Sequence, residues 1–410
     1  MIFTGFLPNA TKGDLKKALG FLFLPWKWFI LRKGNHILEV EDWLKKYFNI
    51  EYASTFDSGR TALQKALETL EIKAGDEVLV QAYTCVVVSN AIMWAGGKPV
   101  YIDIDDDFNM NSDDLIKKIT NKSKVLIVQH TFGKPAKLEK FIQIAKENNL
   151  KIIEDCAHSF GVKYNQKLTG TFGDIGMFSF GSDKVVSCMR GGALITKDRE
   201  LDQKIKQLQG QLPLSKGIKV WQYLLNYLTF AVGKPLYGIG IGKWIMWFFK
   251  KFNVVGRVIY QSEKQGKQVS FYPSTLPDAL ASILLDQLRD LEKSNEHRRE
   301  IAKIYFQNIE NELIKLPPED KDSNYLRFTL LVDKPKKMLN LAKKQSILLG
   351  NWYNTVIAPG DSDIDKARYV RGSCPNAEKL ASMSINLPTN IKIAKKDTKK
   401  IINFINSYAG

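Results

Sequence analysis

Residues 151–184 read KIIEDCAHSFGVKYNQKLTGTFGDIGMFSFGSDK, and this stretch decides the fold. It holds two short apolar runs, 152–155 and 177–180, that are typical of buried strands. The first run ends in Asp155, and Lys184 follows the second. Ligands of open α/β sheets bind beyond the carboxyl ends of the strands. The stretch therefore predicts an α/β sheet with polar side chains at its ligand-binding edge.

The rest of the chain repeats this alternation of strand and helix. Further strand-like runs occur at residues 78–83, 100–104, 125–129 and 193–196. Apolar residues three and four apart predict helices at 60–70 and 137–148, and one long helix over 276–309. We therefore predict an α/β protein with a mainly parallel sheet between helices in a large domain, followed by a smaller C-terminal α/β domain.

Length and composition limit the class of protein further. A chain of 410 residues allows two or three domains, and 44% hydrophobic with 25% charged residues excludes disordered, collagen-like and coiled-coil chains. The net charge of +17 indicates an anionic partner. The four cysteines form no Cys-x-x-Cys pair, so we expect no metal site and no disulfide framework. With no secretory signal pattern at the N-terminus, we expect a cytoplasmic protein.

Three short motifs carry candidate chemistry. Gly59 and Arg60 begin a predicted helix whose free N–H groups suit a phosphate, although an ordinary helix cap has the same pattern. Asp155 and His158 follow a strand end, as a ligand-binding pair or as a helix cap and a core histidine. Lys184 is either a solvated loop residue or a desolvated amine that can form a Schiff base. Taken alone, each motif is compatible with both the functional and the structural interpretation.

Taken in order, and with a structural motif at 374–380, these motifs resemble the DegT/DnrJ/StrS family of pyridoxal 5′-phosphate (PLP) sugar aminotransferases. The resemblance runs from about residue 51 to the C-terminus, with 221–268 outside it. It implies the fold of type I PLP enzymes, similar to aspartate aminotransferase, and an obligate homodimer. We expect four segments: an N-terminal arm with an apolar run (1–50), a large PLP-binding domain (51–213), a basic, aromatic and hydrophobic insertion (214–270), and a long helix with the small domain (271–410).

The resemblance also implies a role for each motif residue. Lys184 matches the family lysine that forms a Schiff base with PLP, and Asp155 matches the aspartate that faces the pyridine nitrogen. These two are the expected catalytic residues, because a carboxylate there keeps the ring protonated as an electron sink. His158 matches the residue near the ring hydroxyl. The phosphate binders are matched by the N–H groups of Gly59 and Arg60 and by the hydroxyl of Ser179.

Three departures from the family pattern stand out. The aromatic residue over the PLP ring is replaced by Cys85, with Tyr83 two residues earlier. The asparagine that reaches the phosphate from the partner subunit would fall at 273–275, where there is none, and the Arg60 side chain is the replacement that the sequence offers. The hydrophobic run at 221–249 has no counterpart in the family's sugar-nucleotide enzymes.

The leading functional hypothesis is a PLP aminotransferase that moves an amino group from glutamate to a keto sugar, linked to a nucleotide or a lipid, in the biosynthesis of a surface polysaccharide or glycoconjugate. A PLP-dependent sugar dehydratase is the first alternative, disfavoured because such relatives carry histidine in place of Lys184. A non-catalytic PLP-binding or membrane-docked regulator is the second, disfavoured because Lys184, Asp155 and Ser179 are all present. We expect no nucleic-acid partner, since no motif supports one.

The insertion predicts a membrane contact. Residues 214–268 contain nine Lys or Arg but one acid, Glu263, interleaved with tryptophans and tyrosines. Such mixtures suit the headgroup region of an anionic membrane. The apolar run at 19–31 could lie on the same face, and glycines and a proline break 221–249 too often for one spanning helix. We expect peripheral docking on the inner face of the membrane; packing against the partner subunit is the alternative.

Overall fold

The computed structural model describes residues 1–5 and 7–410. Its strands, in chain order, are β1 (Ile2–Phe3), β2 (Tyr52–Phe56), β3 (Glu77–Gln81), β4 (Lys98–Ile102), β5 (Ser123–Gln129), β6 (Lys151–Asp155), β7 (Lys163–Tyr164), β8 (Lys167–Leu168), β9 (Ile175–Ser179), β10 (Gly192–Thr196), β11 (Phe328–Leu331), β12 (Ile347–Leu348) and β13 (Ser384–Leu387). Strands β6 and β9 end at residues that line the cavity of the candidate site.

The α-helices, in chain order, are α1 (Lys12–Phe23), α2 (His36–Phe48), α3 (Gly59–Thr69), α4 (Val86–Trp94), α5 (Ser112–Lys118), α6 (Leu138–Glu147), α7 (Arg199–Gly210), α8 (Gly217–Gly233), α9 (Ile241–Lys251), α10 (Gln261–Lys264), α11 (Asp278–Arg289), α12 (Leu291–Asn308), α13 (Pro335–Lys344), α14 (Pro375–Met383) and α15 (Lys395–Asn406). Short 3₁₀ helices lie at Pro25–Ile30 and Thr131–Gly133.

A seven-stranded sheet organises the large domain. Its strand order is β2-β10-β9-β6-β5-β3-β4, and only β10 runs antiparallel to its neighbours. The predicted α/β fold is confirmed, and all six predicted strands are present within a few residues of their expected bounds. The sequence prediction missed β2, because its YASTF sequence holds too many small polar residues to read as a buried strand.

The helix predicted over 276–309 is wrong as a single element. It is two helices, α11 and α12, that meet at Asp290, whose φ of −94° and ψ of 8° lie outside the α-helical region. The break lets each helix pack in a different core. Residues of α11 are buried in the large domain, whereas Ile301, Ala302 and Tyr305 of α12 pack in the small domain.

The N-terminal arm contacts the small domain and the insertion. Strand β1 pairs in parallel with β12 of the small domain, with Ile2 opposite Ile347. Helix α1 then packs against α8, and Trp28 of the following 3₁₀ helix contacts Trp221 with ring centroids 5.6 Å apart. The arm is therefore anchored at the small domain and at the insertion.

The insertion folds as a helical hairpin of α8 and α9. The two helices cross closely at Gly233 and Gly242, where a Cβ on Gly242 would lie 1.9 Å from the carbonyl oxygen of Gly233. A side chain at Gly242 would push the helices apart. Among the described residues, no helix is long and apolar enough to cross a membrane.

Candidate active site

One cavity of about 470 Å³ opens at the carboxyl ends of β6 and β9. All seven residues that the sequence singled out line it: Gly59, Arg60, Cys85, Asp155, His158, Ser179 and Lys184. They come from α3, the start of α4, and the last residues of β6 and β9 with the loops that follow them, which the parallel sheet brings to one edge. The candidate site is therefore assembled from segments that lie far apart in the chain.

Lys184 lies in the loop between β9 and β10. Its backbone N–H donates to the carbonyl of Gly181 at 3.1 Å, and its own carbonyl accepts from the Asn9 side chain at 2.6 Å. Burial lowers the pKa of the Lys184 amine, while the nearby Asp155 carboxylate opposes this shift. A lowered pKa makes the neutral, nucleophilic amine easier to reach near neutral pH.

Asp155 is the last residue of β6 and is 3% exposed. One carboxylate oxygen accepts from the backbone N–H of Ala157 at 3.0 Å. Burial raises the pKa of Asp155, whereas the Ala157 N–H and the charge of Lys184 act in the opposite direction. This carboxylate is buried beside a cation, and it has capacity left for a second hydrogen-bond donor in the cavity.

His158 is held as a neutral ring. Its Nδ1 accepts from the backbone N–H of Phe132 at 3.3 Å, and the Phe132 ring stacks on it at 5.6 Å between centroids. Burial lowers the pKa of His158 well below its usual value, and the charges of Lys184 and Arg327 add to this. Because Nδ1 is an acceptor, the ring proton is assigned to Nε2, which lies 3.5 Å from the Tyr353 hydroxyl.

The first turn of α3 forms an anion cradle. Ser58 caps the helix by accepting from the N–H of Thr61, whereas the N–H groups of Gly59 and Arg60 have no acceptor among the described residues. A Cβ on Gly59 would lie 2.7 Å from Cβ of Ser179, so only glycine allows this approach. The Ser179 hydroxyl and two free N–H groups thus face the same space, a geometry suited to a phosphate.

The Arg60 side chain is bonded to the insertion. Its guanidinium pairs with the Glu263 carboxylate on α10 and donates to the carbonyl of Val258 at 2.6 Å. The expectation that this side chain would replace the missing asparagine is therefore wrong, because the insertion already binds it. At 273–275, Ser274 bonds within the chain, to the Ser215 hydroxyl at 2.9 Å and to the N–H of Asp57 at 3.1 Å.

Cys85 and Tyr83 lie in different surroundings, the first at the cavity and the second in the core. Strand β3 ends at Gln81 and α4 begins at Val86, so Cys85 lies at the helix start and borders the cavity. Tyr83 is fully buried, and its hydroxyl donates to the carbonyl of Tyr353 at 3.1 Å. Of the two, Cys85 is the residue that borders the cavity.

The sequence analysis did not identify two arginines that line the cavity, Arg190 and Arg327. Arg190 donates to Asp57 at 3.1 and 3.2 Å, and its position just before Gly191 and Gly192 was a usable signal. Arg327 lines the cavity with a buried Nε that has no partner among the described residues. Its nearest acid, Asp183, is 4.0 Å away. Arg327 follows no recognisable motif.

One buried group outside the cavity has the composition of a metal site. His130, Glu154 and Cys156 bring potential ligand atoms within 4.8 Å of one another. However, the Glu154 oxygens accept from the N–H groups of Gly170, Phe172 and Gly173 at 2.6–2.8 Å. This carboxylate is already bonded as a structural group that ties the loop before β9 to β6.

Comparisons with known proteins agree with this site. A model of the DegT/DnrJ/EryC1/StrS aminotransferase family matches residues 23–227 and 246–406. The GDP-perosamine synthase of Escherichia coli O157:H7 is 30% identical over 387 residues, 93% of this chain and 92% of that protein. The dTDP-3-amino-3,6-dideoxy-alpha-D-galactopyranose transaminase of Aneurinibacillus thermoaerophilus is 28% identical, covering 92% and 93%.

Solved structures give the same fold. NtdA from Bacillus subtilis, with bound cofactor PMP, superposes with a TM-score of 0.77 at 20% identity, over 99% of this chain and 84% of that one. The family match begins at residue 23, earlier than the expected residue 51, so it includes much of the N-terminal arm. The match also includes 221–227 and 246–268 and leaves out only 228–245. The expectation that all of 221–268 falls outside the resemblance is therefore wrong outside that gap.

Proposed function

This chain belongs to the DegT/DnrJ/EryC1/StrS aminotransferase family, and we propose that its cavity transfers an amino group from glutamate to a keto sugar held on a diphosphate carrier. Sugar aminotransferases of this family work with PLP in polysaccharide biosynthesis, and this activity is the one that the family supports here. The observation that carries the proposal is the convergence of Lys184, Asp155 and the free N–H groups of α3 on one cavity.

The donor set of the cavity fits PLP. A phosphate has the Gly59 and Arg60 N–H groups and the Ser179 hydroxyl, at a point where no Cβ obstructs the approach. At the other end, the Asp155 carboxylate can accept from a protonated pyridine nitrogen. His158, neutral with hydrogen on Nε2, can donate to the ring hydroxyl. When bound, PLP supplies an electron sink for the electrons released at the donor's Cα.

Lys184 is assigned the proton transfers. Its amine, once free, takes the proton from the donor's Cα and delivers it within the cavity as a general acid. Burial lowers the pKa of Lys184, which supports this role because the neutral base is then accessible. Asp155 is assigned the counter-charge of the ring nitrogen, and its burial in a dry site strengthens that electrostatic effect.

Arg327 is assigned the carboxylate of the amino donor. Its guanidinium lines the cavity with Lys184, and it has an unpartnered Nε and no acid within 4.0 Å except Asp183 at that distance, among the residues described. A planar guanidinium suits a carboxylate, because it offers paired donors. On this assignment the donor's carboxylate is held at Arg327, beside the Lys184 amine that takes the proton from the donor's Cα.

Two further assignments concern the partners of the chain. We assign it a homodimeric state and peripheral docking on the inner face of an anionic membrane, as a cytoplasmic protein. Two segments support the docking: the 3₁₀ helix Pro25–Ile30, where Phe29 is 89% exposed, and α9, where Trp244 is 60% exposed. The 3₁₀ helix contacts α8 through Trp28 on Trp221, and the segment just after α9 contacts α8 through the Gln222 side chain, which donates to the carbonyl of Asn253 at 2.6 Å.

Borohydride reduction of the holoenzyme tests the catalytic assignment. If Lys184 holds PLP, reduction fixes the cofactor on the peptide that contains Lys184, and the absorbance of bound PLP changes when glutamate is added. The Lys184→Ala protein should lose both signals and keep its fold, which circular dichroism checks. A reducible adduct that persists in Lys184→Ala would refute the assignment.

A further inference from the structure

Helix α9 presents two different faces. Gly242, Met246 and Lys250, spaced four residues apart, share the face that packs on α8 and borders the cavity. Trp244, Trp247 and Lys251 share the other face, which is exposed, with the Lys251 amine 4.5 Å from the Trp247 ring centroid. One helix therefore separates the catalytic cavity from the exposed aromatic surface.

The insertion gives the cavity an apolar wall. Phe230, Met246, Val255, Val258 and Ile259 all line it, in the same cavity as Lys184. Two polar side chains of this wall are bonded within the insertion: Asn226 donates to the carbonyls of Gln222 and Gly256, and Thr229 donates to the carbonyl of Leu225. Their donors are used within the insertion, so these two side chains offer a ligand only acceptor oxygens.

Cations lie at the rim of this wall. Lys250 and Arg257 line the cavity and form no ion pair with an acid among the described residues. The buried Nε of Arg257 also lacks a partner in the part of the chain described. Glu263, the only acidic residue at 214–268, forms its ion pair with Arg60. An anion is thus favoured between the apolar wall and the surface.

The cavity reaches solvent beside this rim. Val258 lines the cavity and is 46% exposed, and Lys250 is exposed as well. The cavity lining therefore reaches the protein surface at α9, the helix that carries the exposed tryptophans. Aromatic and basic side chains together favour a membrane headgroup region.

We propose that the insertion makes this enzyme selective for a keto sugar linked through a diphosphate to an isoprenoid lipid, with the diphosphate at Lys250 and Arg257 and the first isoprene units against Met246 and Phe230. The inference rests on the proposed function and names its acceptor. A nucleotide-linked sugar shares the diphosphate but offers a polar base. The apolar wall and the exposed aromatic face of α9 favour the lipid.

Binding of diphosphate probes to the holoenzyme tests the proposal. Farnesyl diphosphate, below its micelle-forming concentration, should bind at least ten-fold more tightly than inorganic diphosphate, GDP, UDP or dTDP in calorimetric titrations. Met246→Asp and Lys250→Ala should each lower the affinity for farnesyl diphosphate at least ten-fold. Trp247→Ser, on the outer face of the same helix, is the matched control and should leave this affinity unchanged.

Three results would overturn the inference: tighter binding of a nucleoside diphosphate, unchanged farnesyl diphosphate affinity in Met246→Asp, or equal loss in Trp247→Ser. Addition of glutamate to the same holoenzyme reports on the proposed function separately, through the absorbance of the cofactor. A normal glutamate response without farnesyl diphosphate binding rejects the lipid acceptor alone, whereas no glutamate response rejects the aminotransferase assignment. For Met246→Asp, a normal glutamate response also shows that the variant is folded.

Discussion

The side-chain amide of Asn9 donates a 2.6 Å hydrogen bond to the backbone carbonyl of Lys184. It also donates to the carbonyl of Val185 at 2.9 Å, while its own oxygen accepts from Arg298 of α12 at 2.9 Å. Asn9 is 1% exposed. The N-terminal arm thus ties the loop that carries Lys184 to the helix that leads into the small domain.

The Asn9 contacts predict a loss of both stability and rate. Asn9→Ala removes the donor to two carbonyls and the acceptor of Nη2 of the buried Arg298, so the free energy of unfolding in urea should fall by about 2–4 kcal/mol. Asn9→Asp keeps the acceptor for Arg298 but removes the donor to Lys184. It should slow the single-turnover reaction with glutamate by roughly ten-fold, because the amine is less well positioned. Asn308→Ala, at an exposed asparagine, is the control.

A normal glutamate rate in Asn9→Asp would contradict the positioning role. A loss of stability alone, with the rate unchanged, would leave Asn9 as a structural residue of the N-terminal arm.

The role assigned to Asp155 predicts that its replacement lowers turnover far more than it lowers cofactor binding. Asp155→Ala should lower kcat by roughly 100-fold, about 3 kcal/mol, because a buried charge that stabilises the reacting state is lost. Bound PLP per chain should change little, since the phosphate cradle of Gly59 and Ser179 is untouched. Asp155→Asn, of equal shape, should be equally slow; a normal kcat in this second variant would show that the charge has no part in catalysis.

Site residues that could be predicted from the sequence lie at strand ends, whereas those that could not be predicted depend on contacts between distant segments. Asp155 and Lys184 follow strands, and parallel strands bring such residues to one edge, so their proximity was predictable. The contact between Asn9 and Lys184 joins positions 175 residues apart through a side chain and a carbonyl, and it leaves no periodic pattern in either segment.

Helix ends were the weakest part of the prediction. The apolar spacing of 276–309 continues through Asp290, and neither glycine nor proline marks the break there. The side-chain direction of Arg60 was also beyond reach, because it depends on Glu263 arriving from the insertion. Such choices are made by tertiary packing, which overrides local propensity.

Lys234 predicts a pH-dependent stability of the insertion. It follows α8, and its amine donates to the carbonyl of Leu7 at 3.3 Å. Burial, with the charge of Lys392, lowers the pKa of Lys234 from 10.5 to about 7, and Asp183 opposes this. Between these two values the unfolded chain binds a proton that the folded chain does not, so the stability of the native protein should rise with pH there.

The replacement Lys234→Met removes this penalty. Its Tm should exceed that of the native chain most clearly at pH 7 and below, and the difference should shrink as the pH is raised towards 10. Thermal unfolding followed by circular dichroism across this range measures the difference. Lys16→Met, at an exposed lysine of α1, is the control and should show no such trend. A constant difference for Lys234→Met at every pH would contradict the shifted titration.

Membrane docking predicts flotation with anionic vesicles. The intact protein should float with vesicles of phosphatidylcholine and phosphatidylglycerol at low salt and less well at high salt, because each basic residue near an anionic surface contributes about 1 kcal/mol that salt screens. Trp244→Ser combined with Trp247→Ser should abolish flotation, since these side chains are 60% and 53% exposed on α9. Ile116→Ser, which removes an exposed apolar residue from α5, should float like the intact chain. Protein that stays soluble at low salt would end the docking proposal, and a loss of the dimer in the double variant would show instead that the partner subunit covers α9.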